Sequence, residues 1–425
     1  MSLLAIGFFS VPSADAQFLR LGPFEFSAQA GLDLIYSSNV EGERPSEAER
    51  QRQDYYMVYS LDLTSTPLMG PRTRLALNAG YSKEKYYERS DLDVDLGSLG
   101  ISFVTDFSPL TLSGGYEWER DTEYEDEIFI PQGKPRAKRR VGNTTTYDAA
   151  ADFDSRHLLF GVSYEFTEER FEKEEYAEDE KDERKIIPYV EVLIDDYVGV
   201  RYEVENTVTD FINDDEDETE ETTEKITIIT DQLFGLLERP KVTYSIGIQR
   251  EYEDGETDGW ELVHTLDVSD KWDFSPTLSL DAFARYNYEQ DPEEDDITLE
   301  YGVVLKNQLS SRTSHEASAR RKPVETLGST EETDETEYGY KISIKDILIR
   351  DLAMNAGVTY TISRPADSDE ETEKIWDYLF EVVHTKEINA NLRRTLSYAF
   401  TREDSNLEEE LLDEHKVTLS FSYRF

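Results

Sequence analysis

The residues best suited to chemistry are the five histidines, His157, His264, His315, His384 and His415, because an imidazole titrates near neutral pH and serves as base, acid or metal ligand. They fall on five separate stretches, with no common spacing to a serine or aspartate that would pair a nucleophile with its base. No zinc pattern, glycine-rich phosphate loop or nucleophile elbow accompanies them. The chain has no cysteine, so neither thiolate chemistry nor a disulfide is available, which suits passage through an oxidising compartment. The expectation is a protein that is not an enzyme and holds no cofactor or metal.

Carboxylates are the other chemical resource. Against 44 Lys and Arg stand 93 Asp and Glu, for a net charge of -49, which repels nucleic acid and anionic lipid heads. The acids gather in runs such as Asn213-Asp-Asp-Glu-Asp-Glu218 and Glu168 to Glu175. One reading makes these the solvated ends of hairpins. The other gives Asp214, Asp215 and Asp217 the task of attracting cations at a pore mouth, or of holding divalent ions that bridge lipopolysaccharide. Their spacing matches no calcium loop. One run has the opposite sign, Lys134-Pro-Arg-Ala-Lys-Arg-Arg140, and either pairs with neighbouring acidic loops or meets an anionic substrate.

The elements that must position these groups are strands. No run approaches the eighteen or so apolar residues of a membrane helix, yet 26 Tyr and 20 Phe are too many for a disordered acidic chain. The period is two: Val417, Leu419, Phe421, Tyr423 and Phe425 share one face, and Lys416, Thr418, Ser420, Ser422 and Arg424 the other. The same alternation runs through Leu75 to Tyr81, Leu110 to Trp118 and Leu352 to Ile362. Asn, Ser, Thr, Glu and Arg in mid-strand suit a solvated lumen better than a dry core.

The order of connections decides between sandwich and barrel. About twenty candidate strands of ten to fifteen residues, the length a tilted strand needs to cross hydrocarbon, are joined by alternately short and long connections. Short ones include Asp106 to Pro109, Asp152 to Ser155, Glu238 to Pro240 and Trp272 to Pro276; long ones include Asn39 to Asp54, Thr167 to Arg184, Thr209 to Glu224, Arg321 to Glu337 and Arg402 to Glu414. Short periplasmic turns opposite long extracellular loops are the asymmetry of an outer-membrane barrel. The predicted fold is all-β, a transmembrane antiparallel up-and-down barrel of about 20 strands, within a range of 16 to 20 set partly by the weak segments Thr144 to Asp154 and Thr313 to Arg321. Residues 1–16, an apolar stretch ending in Ala14-Asp-Ala16, read as a secretory signal cleaved after Ala16, and 17–425 as the barrel domain. The signal lacks a charged n-region, which suggests a true start upstream of Met1.

The terminal Val417-Thr-Leu-Ser-Phe-Ser-Tyr-Arg-Phe425 resembles the C-terminal signal of outer-membrane barrels, alternating and ending on an aromatic. The opening Leu21-Gly-Pro-Phe-Glu-Phe26, followed by Gly31-Leu-Asp-Leu-Ile-Tyr36 and Asn39-Val40, is similar to the first strand of the putative β-barrel porin family, with Ser37 and Ser38 where that family commonly carries acids. The resemblance implies assembly by the outer-membrane insertion machinery, with Val417, Leu419, Phe421, Tyr423 and Phe425 as the recognised residues. It also implies passage of small solutes or of polysaccharide.

The leading expectation is a diffusion channel that prefers cations, its partners being outer-membrane lipid, lipopolysaccharide, and small solutes or ions. A non-conducting surface-structural or adhesive barrel is the rival. A polysaccharide conduit would want aromatic rows along the lumen, and inward Phe283 and Tyr56 are scattered. Two residues sit awkwardly. His264 shares the lipid face of Trp260, Leu262, Leu266 and Val268 unless a bulge shifts the register. Arg394, between Leu392 and Leu396, belongs off the midplane, where a charge costs about 2 to 4 kcal/mol.

Overall fold

A segment that alternates apolar residues with Ser, Thr, Asn and Gly presents one greasy and one polar face only when extended, and these segments are strands almost throughout. The computed structural model of the chain describes residues 19–21, 24–38, 54–67, 69–88, 90–124, 139–172, 180–194, 198–212, 218–230, 241–253, 260–289, 296–325, 332–365, 372–406 and 412–425. The strands are β1 (Leu19–Leu21), β2 (Phe24–Ser37), β3 (Asp54–Ser65), β4 (Thr73–Tyr86), β5 (Val94–Asp106), β6 (Leu110–Tyr124), β7 (Arg139–Asp154), β8 (Leu158–Phe171), β9 (Lys181–Leu193) and β10 (Val198–Phe211). They continue as β11 (Glu218–Thr230), β12 (Lys241–Glu253), β13 (Glu261–Ser275), β14 (Leu278–Glu289), β15 (Asp296–Gln308), β16 (Thr313–Glu325), β17 (Glu332–Lys345), β18 (Leu352–Pro365), β19 (Glu373–Glu387), β20 (Leu392–Ser405) and β21 (Leu412–Arg424).

From β2 onward each strand pairs antiparallel with its neighbour in sequence, and β2 pairs with β21 from Gln29 opposite Arg424 to Ser37 opposite Lys416. That seam closes a barrel of twenty strands, so the ladder has no free edge. Short β1 lies against the start of β2, with Leu19 opposite Phe26, in line with the end of β21, where the Phe425 N–H donates to the Ala28 carbonyl at 3.0 Å. Both ends of the described chain therefore lie on the side of the short turns.

The registers assign faces without ambiguity, since residues directly opposite point the same way. Outward rows such as Leu32–Tyr59, Leu77–Ile101–Tyr116–Tyr147–Phe166 and Leu34–Leu419–Leu396 give an apolar, aromatic exterior. Inward rows such as Gly31–Ser60–Ser82 and Ser113–Ala150–Ser163 are small and polar. Buried hydrophobics are few, and most gather at the long-loop end of β2 to β5, where Ile35, Tyr86, Leu92 and Val94 are covered and Tyr56 stacks on Tyr86. Among the described residues there is no dry core, because the apolar side faces outward.

The turns obey local rules. The Phe107 N–H donates to the Leu110 carbonyl at 2.7 Å, and the Ile194 N–H to that of Val198 at 2.9 Å. Asp346 and Asp351 bracket the β17–β18 turn with φ of 53° and 68°, a region Asp tolerates because its side chain bonds locally; the Asp351 N–H donates to the Asp346 carboxylate at 2.8 Å.

Both weak segments are strands, β7 and β16. The ladders also run further than the alternation foretold. β8 extends to Phe171 and β9 begins at Lys181, inside the stretch 167–184 read as loop; the same holds at 209–224, 321–337 and 402–414. Charges interrupt an apolar pattern, yet above the lipid a strand needs only its backbone partners and compatible cross-strand pairs. β13 likewise runs through Ser275, with its irregularity between Asp273 and Ser275 at the turn. The proposed signal, residues 1–16, the turn at 238–240 and residues 134–138 of the basic run lie outside the described residues.

Candidate lumenal site

Glycine on the inward face decides where bulky lumenal groups lie. A Cβ added at Gly161 would meet the Tyr189 ring at 2.8 Å and the Ala151 carbonyl at 2.9 Å, so only glycine lets that ring lie flat on the wall. The Tyr189 hydroxyl donates to Asp152 at 2.8 Å, and the Arg201 guanidinium lies 4.0 Å above the ring centre. Gly302 repeats the arrangement: its missing Cβ makes room for the Phe283 ring, 2.7 Å from where that atom would be, and Arg320 lies 6.0 Å above the ring.

Each stacked arginine belongs to a charge network. On β9 to β11, Arg201 reaches Glu203 at 2.6 Å, Lys225 reaches Glu203 at 2.8 Å, and Lys185 pairs with Glu205. On β13 to β16, Arg285 bonds Asp267 at 2.6 Å, Arg320 pairs with Glu300, and Lys306 bonds Asp281 at 2.9 Å. Arg285 and Lys306 nevertheless keep 52% and 53% of their side chains exposed although they point inward. Among the described residues the inward face is therefore water-facing rather than packed, as expected of a barrel larger than the sixteen to eighteen strands that already enclose an aqueous channel. A pocket of about 490 Å³ opens near the turn end of β13 to β17, lined by Lys271, Lys306, Glu316 and Lys341 among others.

The two halves of the wall differ in sign. From β2 to β8 the lumen receives Asp33, Asp62, Glu84, Glu117, Glu119, Asp148, Asp152 and Glu165, and Arg74 is the one inward base of that wall among the described side chains. From β9 to β17 bases and acids alternate and pair. Inward aromatics among the described residues, Tyr56, Tyr86, Phe171, Tyr189, Phe211 and Phe283, form no row along the channel.

The histidines do not reach this lumen. His264, His315, His384 and His415 all lie on outward rows, and exposed His157 lies in the β7–β8 turn. His264 keeps the register foreseen, with no bulge beside it, and its Nδ1 is 3.0 Å from the Tyr244 hydroxyl; His415 repeats this with Tyr398 at 2.9 Å. His315 meets Asn307 at 3.1 Å, and His384 lies 3.5 Å from Arg394. Arg394 is two residues into β20, opposite Lys386 and close to the short turn, hence off the midplane as its charge requires. Asp214, Asp215 and Asp217 lie outside the described residues. Among the described residues no three His, Asp or Glu are placed to share a metal ion.

The terminal residues are seated as their alternation requires. Val417, Leu419, Phe421 and Tyr423 face outward opposite Tyr36, Leu34, Leu32 and Ala30, and the Tyr423 and Phe425 rings meet edge to face at 4.8 Å.

No protein-family profile and no curated relative matches the chain. Among solved structures it is similar to the alcaligin outer-membrane receptor FauA from Bordetella pertussis, with 12% identity over 94% of this chain and 76% of that one, at a TM-score of 0.50. Pseudomonas aeruginosa OpdQ shares 11% identity over 94% and 99% at 0.48, and OccK3 (OpdO) from the same organism 12% over 94% and 96% at 0.46. The first likeness bears on fold alone, and the other two superpose too loosely to carry an argument. A closed single-chain barrel, apolar outside and polar within, is built to span the outer membrane.

Proposed function

We propose that the chain is an outer-membrane channel for passive diffusion of small hydrophilic solutes, with a preference for cations. The observation that carries this is the water-facing charge on the inside of a twenty-strand barrel, above all the acidic wall from Asp33 to Glu165. Fixed carboxylates attract cations and repel anions within about a Debye length, roughly 10 Å at 0.1 M salt. Asp214, Asp215 and Asp217, in the β10–β11 connection, would add to this field at the mouth. The signal at 1–16 would deliver the chain to the periplasm, and outward Val417, Leu419, Phe421, Tyr423 and Phe425 would present it to the insertion machinery.

The test is single-channel conductance of the refolded chain from Gln17 to Phe425 in planar bilayers under a salt gradient. Stable steps with a cation-selective reversal potential are expected, and neutralising Asp214, Asp215 and Asp217 together should reduce that potential. A folded, heat-resistant barrel that never conducts would overturn the proposal in favour of a surface-structural or adhesive role.

A further inference from the structure

The exterior near the long-loop ends carries bases that the overall charge of the chain would not lead one to expect. Several are neutralised beside them: Lys83 by Asp95 at 2.8 Å, Arg120 by Glu172 at 2.7 Å, Arg170 by Asp182 at 2.6 Å, and Arg321 by Asp334, whereas exposed Lys85 on β4 forms no ion pair among the described residues. Arg364 on β18 and Lys374 on β19 bring two such cations onto paired strands. Both are exposed, and neither forms an ion pair among the described residues. Asp334 stands opposite Arg364 in the ladder, but its carboxylate is turned to Arg321. On the lipid side of these two cations lies a shelf of rings: Tyr360 stacks on Trp376 with centroids 4.3 Å apart, and Trp376 on Tyr378 at 6.2 Å.

From this juxtaposition we infer that Arg364 and Lys374 bind the phosphoryl group of a lipid headgroup in the leaflet on the long-loop side. Tyrosine and tryptophan settle where acyl chains give way to headgroups. Lys374, one outward position above that level, and Arg364, two above it, therefore sit at the depth of a headgroup phosphate, to which arginine donates bidentately and lysine as a point charge. The net charge of -49 repels anions from the molecule as a whole, so two neighbouring outward cations that form no ion pair among the described residues suit a local partner of opposite sign. The inference needs the barrel to span the membrane with its long loops outside, and it is independent of whether the lumen conducts.

The test is native mass spectrometry of the full refolded barrel with diphosphorylated lipid A, dephosphorylated lipid A or inorganic phosphate as probe. Arg364→Gln with Lys374→Gln should weaken retention of the diphosphorylated lipid about thirtyfold, at the strength of two basic residues near a charged surface. The charge-keeping pair Arg364→Lys with Lys374→Arg should retain most of it, and heat-resistant mobility should be unchanged in both. Equal retention by wild type and the Gln pair, or no preference for the phosphorylated lipid, would overturn the assignment. Displacement of the lipid by equimolar inorganic phosphate would overturn it as well, since the site would then recognise a free anion.

Discussion

Leu419→Arg and Thr418→Arg place the same charge on adjacent residues of the closing strand and should have opposite consequences. Leu419 faces outward between Leu34 and Leu396, whereas Thr418 faces the lumen between Ile35 and Ser397. An arginine near the midplane of the lipid face costs about 2 to 4 kcal/mol, which at about 1.4 kcal/mol per factor of ten lowers the folding constant roughly 30- to 700-fold. An arginine at 418 meets water and should cost less than about 1 kcal/mol. Equilibrium urea titration in lipid vesicles, followed by tryptophan fluorescence and by heat-dependent mobility on gels, reads both. A shifted midpoint for Leu419→Arg alone is the expected outcome. If Thr418→Arg were the damaging change, every inward and outward assignment made from the ladder would be inverted, and the lumenal site with it.

Tyr244→Phe should destabilise the barrel by about 1 kcal/mol, because His264 would face lipid without its hydroxyl partner, and His264→Leu in that background should recover the loss; a double-mutant cycle by the same titration measures the coupling. Gly161→Ala should cost about 1 to 3 kcal/mol, since the added methyl meets both the Tyr189 ring and the Ala151 carbonyl, and a crystal structure of the variant should show Arg201 displaced with the ring. Glu117→Gln with Asp148→Asn should lower cation selectivity in the reversal-potential assay, while the same exchange on outward Glu168 and Asp182 should leave it unchanged.

Strand number and facing were legible in the sequence because a period of two, interrupted by turn residues at parity-keeping intervals, leaves few other arrangements. Phe283 and Tyr56 point inward and His264 outward as alternation demanded. The acidic stretches concealed strand ends at Phe171, Lys181 and Leu412, since a hydrophobic pattern reports contact with lipid and falls silent where the ladder rises into water. The lumenal networks were less accessible. Arg201, Glu203, Tyr189 and Lys225 come together only once the register of β9, β10 and β11 is fixed, and no local spacing encodes that register. One signal was available: inward glycines at 161 and 302, each facing an aromatic residue on a neighbouring strand. The histidines misdirected attention, since four of them lie on the face turned away from the lumen.

The acidic wall from β2 to β8 has a consequence for a conducting barrel that resembles the behaviour of an ion-exchange resin. Carboxylates fixed to the wall and facing water must be balanced by mobile counter-ions, and electroneutrality holds those ions in the lumen whatever the bath contains. Conductance would then follow bath salt at high concentration but level off once the bath falls below the concentration of fixed charge. The water dragged by that resident population would give net flow toward the cathode under voltage, so an uncharged solute would cross faster with the field than against it.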